Sequence, residues 1–259
     1  MMRASSSHSR CRKAPNLWRR DLNVQKLRNL VAILPGLRDM VIVFLPGHAG
    51  NLLRARHYRK RLRGLGRGVT IDVGVQFVNP EFITIGDGCW IDKYALLMAG
   101  PPYEGERRLT RKPNPAFDYA EGELVIGKRC HIASHTVVNG HGGVSIGDNT
   151  TVAAGAKIVS LSHHYRNLSD ELDRFMYRFG SRAPEQEQAL LSSPVVLGQN
   201  AGLATNSVML PGSSVGDDSW VGACSLVSGG IPAGYIAWGV PAKPMKRRPP
   251  PTVADEGLN

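Results

Sequence analysis

No stretch of this 259-residue chain offers the roughly 18 consecutive apolar residues that a membrane-spanning helix needs. The best run, VAILPGLRDMVIVFLPG, is cut by Pro35, Arg38, Asp39 and Pro46. A spanning helix is therefore not expected. The first thirty residues also lack a compact apolar block followed by a small-residue cleavage site, which argues against a removable secretory leader and for a cytoplasmic location. Cysteine is scarce: Cys11, Cys89, Cys130 and Cys224 show no C-x-x-C spacing, so reduced thiols are expected rather than a disulfide framework. Acidic residues are nearly missing from one region. Residues 1–68 hold 16 of the 32 Lys and Arg but only Asp21 and Asp39 on the acidic side. The net charge of +11 thus belongs to the first quarter. That asymmetry argues against a nucleic-acid groove over the main domain, and for a basic N-terminal element facing an anionic surface.

What is present is a repeat. From Ile85 the chain reads IGDGCW IDKYAL, then IGKRCH IASHTV from Ile126, IGDNTT VAAGAK IVSLSH from Ile146 and LGQNAG LATNSV MLPGSS VGDDSW VGACSL from Leu197. In all twelve hexads the first residue is aliphatic or Met and the fifth is Cys, Ala, Thr or Ser; in six the second is Gly. A period of six fits neither a helix nor a long flat strand. It fits a very short strand and a sharp corner, repeated, so the chain should coil as a triangular solenoid with the first and fifth residues pointing inward. Gly is expected to supply backbone angles that other residues avoid at a corner. Cys89 and Cys130 occupy the small inward position and read as packing.

With those hexads, and with PGSSVGDDSWVGACSLVSGGIPAGYIAWGVPAKP, residues 69–248 resemble the hexapeptide-repeat acyltransferases, which fold as left-handed parallel β-helices. The expected fold is thus an all-β solenoid of this kind with a basic N-terminal helical segment. Its expected organisation is a disordered basic tail over 1–30, the helical segment over 31–68, the β-helix over 69–245 with insertions at 99–123 and 164–193, and a basic, Pro-rich tail over 246–259. The resemblance implies transfer of an acyl group, acetyl from coenzyme A, to a sugar hydroxyl or amine at a site shared between the subunits of a homotrimer, with no metal.

In the family the catalytic histidine follows the Ile of an IGDN hexad by seventeen residues, which implies His163 as the base; His164 reads as a flanking residue. An imidazole titrating near 6.5 suits proton removal from a hydroxyl at neutral pH. Between Val138 and Ile146 the register gains two residues, and the break contains Gly140, His141, Gly142 and Gly143. Breaks in a regular pattern often mark sites. The resemblance implies that this turn faces the acceptor pocket beside His163, with Asn139 and His141 placed to orient the acceptor or the catalytic imidazole; the alternative is a glycine-rich corner without side-chain function. For the donor, the resemblance implies Thr205 and Ala223 along the thioester arm, Ser228 near the adenine end, and Lys243 and Lys246 at the nucleotide phosphates. The two lysines also read as part of a solvated basic tail.

Two departures stand out. NAGLA from Asn200 places Gly202 where many relatives have Trp and Ala204 where they have Gly, and Gly229 stands where a lysine is common. Trp220 and Trp238 are the aromatics available to replace the missing wall. At the other end, NLLRARHYRKRLRGLG spaces Leu52, Ala55, Tyr58, Leu62 and Leu65 helically among basic residues, which suits either peripheral contact of residues 51–67 with an anionic membrane or a cap on the first coil. The leading functional expectation is an acetyl-CoA-dependent O-acetyltransferase acting on a sugar hydroxyl in surface polysaccharide or lipid-linked glycan synthesis. N-acetylation of an amino-sugar nucleotide is the nearest alternative. A metal hydratase resembling γ-type carbonic anhydrases, drawing on His131, His135, His141 and His163, is a further one.

Overall fold

The computed structural model describes residues 36–103, 105–164 and 177–249. The expected tail over 1–30, Cys11 and the end of the Pro-rich tail lie outside them. Residues 1–41 form one unit, of which 36–41 are described and helical; the second unit runs from Ile42.

In that second unit, very short strands build three parallel walls. Wall A stacks Gly64–Leu65, Ile83–Ile85, Leu124–Ile126, Val144–Ile146, Val195–Leu197, Ser214–Val215 and Gly230–Ile231. Wall B runs from Thr70–Ile71 through Trp90–Ile91, His131–Ile132, Thr151–Val152, Gly202–Leu203 and Trp220–Val221 to Tyr235–Gly239. Wall C stacks Gln76–Val78, Leu96–Met98, Val137–Asn139, Lys157–Val159, Val208–Met209 and Leu226–Val227. Each coil contributes one strand to each wall, about 4.8 Å above the last. The solenoid begins at Gly64, a little before the first regular hexad. At its other end Ala242–Arg247 folds back antiparallel against Tyr235–Gly239.

The hexad accounts for this packing. Every first-position residue is at most 1% exposed, from Ile85 to Val221, and together they form the core of the prism. Burying each such side chain contributes roughly 1.5–3 kcal/mol. The left-handed backbone conformation falls on the fourth position of the hexad, at Gly88, Tyr94, Arg129, His135, Asn149, Gly155, Asn200, Asn206, Gly212, Asp218 and Cys224. The second-position glycines, expected to serve those angles, serve a different need. A Cβ on Gly147 would lie 2.4 Å from the Gln199 nitrogen, so these glycines let one coil stack directly on the next.

IVSLSH is the exception among the hexads. Ile158 is buried, but Leu161 is not left-handed and Ser162 is not buried. The chain leaves the prism here as the strand Leu161–His163.

The helix Gly47–Tyr58 closes the first coil. Its buried residues are Gly50, Arg54 and Tyr58, whereas Leu52, expected on the apolar face, is 59% exposed. Arg54 is fully buried: its guanidinium donates to the carbonyls of Ile71 (2.9 Å), Ile42 (3.1 Å) and Leu45 (2.7 Å) and to Asn51 Oδ1 (2.5 Å). The helical periodicity extends to Leu65, but the helix stops at Tyr58 because the chain turns into the first wall strand at Gly64. Among the described residues no helix is long and apolar enough to cross a membrane.

Candidate active site

The two insertions meet. Arg108–Arg111, from the first, lies parallel to Ala189–Ser192, from the second, and the latter pairs antiparallel with Leu161–His163. The resulting three-stranded sheet stands beside the corner between walls C and A. His163 is held on it opposite Leu190.

The glycine-rich break forms that corner. Ser160 Oγ donates to the Asn139 carbonyl (2.7 Å) and accepts from the Gly142 nitrogen (2.9 Å), tying the break to the next coil. A Cβ on Gly142 would sit 2.3 Å from the Ser160 carbonyl oxygen, and one on Gly143, at φ +101°, would sit 2.5 Å from the Phe117 ring. Both glycines are required by close approach. Asn139 bridges the strands: its Oδ1 accepts from the His141 nitrogen (3.3 Å) and its Nδ2 donates to the Leu161 carbonyl (3.5 Å).

His141 and His163 line one cavity of about 300 Å³, with Pro102, Tyr103, Arg107, Leu161, Gln188 and Leu190 on its walls. The His141 Nδ1 lies 2.8 Å from the Gly100 carbonyl oxygen. A carbonyl only accepts, so Nδ1 carries the proton and the neutral ring keeps its lone pair on Nε2. The His163 Nδ1 is buried and has no hydrogen-bond partner among the described residues. An orphaned buried nitrogen of this kind is costly unless something outside these residues satisfies it. His164 is close to Tyr177, at 6.5 Å between ring centroids.

The residues expected at the donor lie elsewhere on the prism. Thr205 and Ala223 stack one coil apart at the corner between walls B and C, where the Cys224 nitrogen donates to the Thr205 carbonyl (3.0 Å). Ser228 follows the last strand of wall C, and Lys243 and Lys246 are exposed on the antiparallel strand Ala242–Arg247. Thr205 and Ala223 are thus brought together, as are Asn139, His141 and His163, but the width of wall C, a strand of two or three residues or about 10 Å, separates the two groups within one chain.

Of the two tryptophans available for the missing wall, Trp220 lies against Gly202. Its ring lies over Gly202, so that a Cβ there would be 2.2 Å from the indole. His131 stacks on Trp90 at 4.6 Å and His135 on Tyr94 at 5.5 Å, both away from the insertion sheet that carries His163. The four histidines do not converge within one chain, and among the described residues no cluster of His, Cys, Asp or Glu is arranged to hold a metal.

The sequence did not single out Tyr103, Arg107, Gln188 or Leu190. The only signal was that the repeat fails in these two stretches; their pairing spans about eighty residues and has no local signature.

No family model matches the chain. It is similar to a putative lipopolysaccharide biosynthesis O-acetyl transferase, WbbJ, of Escherichia coli K12, with 36% identity over 104 residues, which is 40% of this chain and 50% of the relative. The chain therefore spans half the length of that relative. It also resembles a dTDP-4-amino-4,6-dideoxy-D-glucose acyltransferase of Escherichia coli, at 24% identity over 72% of this chain and 82% of the relative. Among solved structures, a variant of AntD, an N-acyltransferase from Bacillus cereus in complex with dTDP-4-amino-4,6-dideoxyglucose and coenzyme A, superposes with a TM-score of 0.60 at 22% identity, covering 78% of this chain and 92% of that one. The architecture is that of the left-handed parallel β-helix.

Proposed function

We propose that this chain, a member of the hexapeptide-repeat acyltransferases by repeat, fold and relatives, is an acetyl-CoA-dependent O-acetyltransferase acting on a sugar hydroxyl in surface polysaccharide or lipid-linked glycan synthesis. The observation that carries this reading is the cavity holding His141 and His163 beside the break in the repeat.

His163 removes the proton from the acceptor hydroxyl as its oxygen attacks the thioester carbonyl. The tetrahedral intermediate then collapses, breaking the carbon–sulfur bond; the sulfur takes the proton back from the imidazolium, leaving an acetyl ester and the free thiol of coenzyme A. General-base help of this sort is worth about 10²–10⁴-fold. His141, with its proton directed at Gly100, offers Nε2 as an acceptor to a neighbouring sugar hydroxyl and so orients the substrate. Asn139 holds the His141 backbone. Thr205, Ala223, Ser228, Lys243 and Lys246 take the donor from its thioester arm to its phosphates.

Wall C supports a homotrimer. Its outward residues Val78, Leu96, Met98, Val137, Val159, Val208, Leu210 and Leu226 form a largely apolar ladder, interrupted by Gln76, Asn139 and Lys157. The donor corner and the histidine corner flank this wall. Covering it with neighbouring copies brings one chain's Thr205 and Ala223 towards the next chain's His163, and gives the buried His163 Nδ1 a source of a partner. At the solenoid's first end, the helix serves as a cap, and it also presents Leu52 and Leu53 to solvent beside exposed Arg56, Arg59 and Lys60, with exposed Phe44 just before it in the chain. That combination suits peripheral contact with an anionic membrane, at about 1 kcal/mol per basic residue near the surface.

The test is thiol release from acetyl-CoA against a panel of sugars, nucleotide sugars and lipid-linked glycans. Acceptor-stimulated release that His163→Ala abolishes supports the reading; release indifferent to acceptor or to His163 overturns it. Light scattering of the purified protein checks the trimer, and sedimentation with phosphatidylserine vesicles checks the membrane contact.

A further inference from the structure

The histidine cavity is not isolated. The register of the insertion sheet pairs Leu190 with Leu109 and Ser192 with Arg111. Arg107 and Gln188 precede these pairs in step, and Arg107 Nε donates to Gln188 Oε1 (3.0 Å). Alternate residues share a face of a sheet, so Arg107, Leu109 and Arg111 line up beside Gln188, Leu190 and Ser192. Three cavities adjoin the sheet: the second and third lie along this face, and the first sits where Arg107 enters the sheet and takes Glu106 and Arg108 from the opposite face. The first, about 730 Å³, is lined by Glu106, Arg107, Arg108, Tyr177, Arg178 and Glu187. The second is the histidine cavity, which shares Arg107 with the first. The third, about 280 Å³, lies past the break at Gly142 and holds Phe117, Tyr119, Glu121, Arg111 and Ser192. From Gln188 to Ser192 the strand covers about 13 Å, more than a single pyranose ring occupies.

The charges decide what fits. In the first cavity Arg107 pairs with Glu185 (2.9 Å), Arg178 pairs with Glu187, and Arg108 donates to the Tyr177 hydroxyl (3.1 Å). In the third, Arg111 Nε donates to both oxygens of Glu121 (2.9 and 3.1 Å), which also accepts from Ser192 Oγ (2.9 Å). Of the cations in these linings, which also include Arg108 and Lys112, Arg107, Arg178 and Arg111 are matched by carboxylates and make a poor seat for a diphosphate, which would face Glu106 and Glu187 as well. They suit neutral hydroxyls, which both donate and accept. Tyr119, 46% exposed and packed edge-on against Phe117, adds an aromatic face for a sugar ring.

We propose that the acceptor is an uncharged oligosaccharide laid along the insertion sheet, with the modified sugar in the histidine cavity and its chain neighbours in the cavities of Tyr119 and Arg108. The inference rests on the acyltransferase reading and narrows its acceptor: an inner unit of a glycan chain, not a free monosaccharide or a nucleotide sugar.

The test is binding of the full chain to an array of neutral mono- to hexasaccharides of bacterial glycan type, with UDP- and dTDP-sugars and inorganic pyrophosphate titrated by calorimetry. Trisaccharides or longer are expected to bind at least tenfold more tightly than monosaccharides of the same series, with Tyr119→Ala and Arg108→Gln each removing most of that gain while the melting temperature stays within a few degrees. Tyr119→Phe is the milder second variant, expected to keep part of the gain through its ring. Tighter binding of a nucleotide sugar or pyrophosphate than of every glycan, an array with no bound glycan, or a length gain untouched by these variants overturns the proposal. His163→Ala separates it from the catalytic reading, because that variant is expected to lose thiol release and keep the array pattern.

Discussion

His163 faces Leu190 across an antiparallel pair, so the position of the candidate base is set by a strand from the second insertion and not by the prism. The ring stands at the place where the six-residue register ends. Its neighbours in the cavity, Arg107 and Tyr103, come from the first insertion. Three separate stretches of chain therefore have to be in place before the imidazole is aimed at anything.

This division of labour predicts different kinetic signatures for the two histidines. His163→Ala is expected to lower kcat about 10²–10⁴-fold with little change in KM for acetyl-CoA. His141→Ala is expected to act mainly on the acceptor KM. Steady-state thiol release on the acceptor found by the panel checks both, and a reversal of the pattern would exchange the roles.

Arg54 predicts a stability effect far from the cavity. Arg54→Met removes the donors to the buried carbonyl of Ile71 and the part-buried carbonyl of Leu45. Unsatisfied buried groups cost about 1–3 kcal/mol each, so a loss of about 2–4 kcal/mol in chemical denaturation is expected. Arg54→Lys is expected to recover little, since one ammonium cannot reach acceptors that a planar fork spans.

Gly202 and Trp220 predict a fluorescence change. Any side chain at 202 must displace the indole that lies over it. Gly202→Ala is expected to cost about 1–3 kcal/mol and to shift Trp220 emission to longer wavelength. Adding Trp220→Gly is expected to relieve most of that cost.

The cysteines predict a labelling pattern. Cys89 and Cys130 stack in adjacent coils, with the Cys130 nitrogen 3.4 Å from Cys89 Sγ, while Cys224 is exposed. The hydrogen bond with Cys89, together with burial, pushes the Cys130 thiol up, away from the reactive thiolate. Among these three, iodoacetamide is expected to modify Cys224 alone in the native protein, and all of them once it is unfolded; mass spectrometry of peptides decides.

Much of the prism was legible because its physics is local. Ile146, Val152 and Leu197 each have to be apolar to point inward, and Thr150 and Ser207 have to be small where walls converge; six residues of sequence carry the whole requirement. The second-position glycines were legible as a pattern but not in cause, because the contact that forbids a Cβ comes from the next coil. Of the helically spaced Leu52 and Tyr58 only Tyr58 docks on the coil, because spacing alone cannot tell which side is covered, and the buried side carries Arg54. The insertion sheet was not legible at all. Arg107 meets Gln188 only through folding of distant segments, and the sequence registers that only as a silence in the repeat.

The fold-back of Ala242–Arg247 onto Tyr235–Gly239, together with the Arg54 helix at the opposite end, has a bearing on how copies can associate. A stack of parallel strands left bare at its ends would invite another stack to dock top to bottom and grow as a fibre. Here the last strand of wall B is covered by the antiparallel Ala242–Arg247, and the Ile71 carbonyl of its first strand is taken by Arg54, so at both ends of that wall end-to-end stacking meets chain already in use.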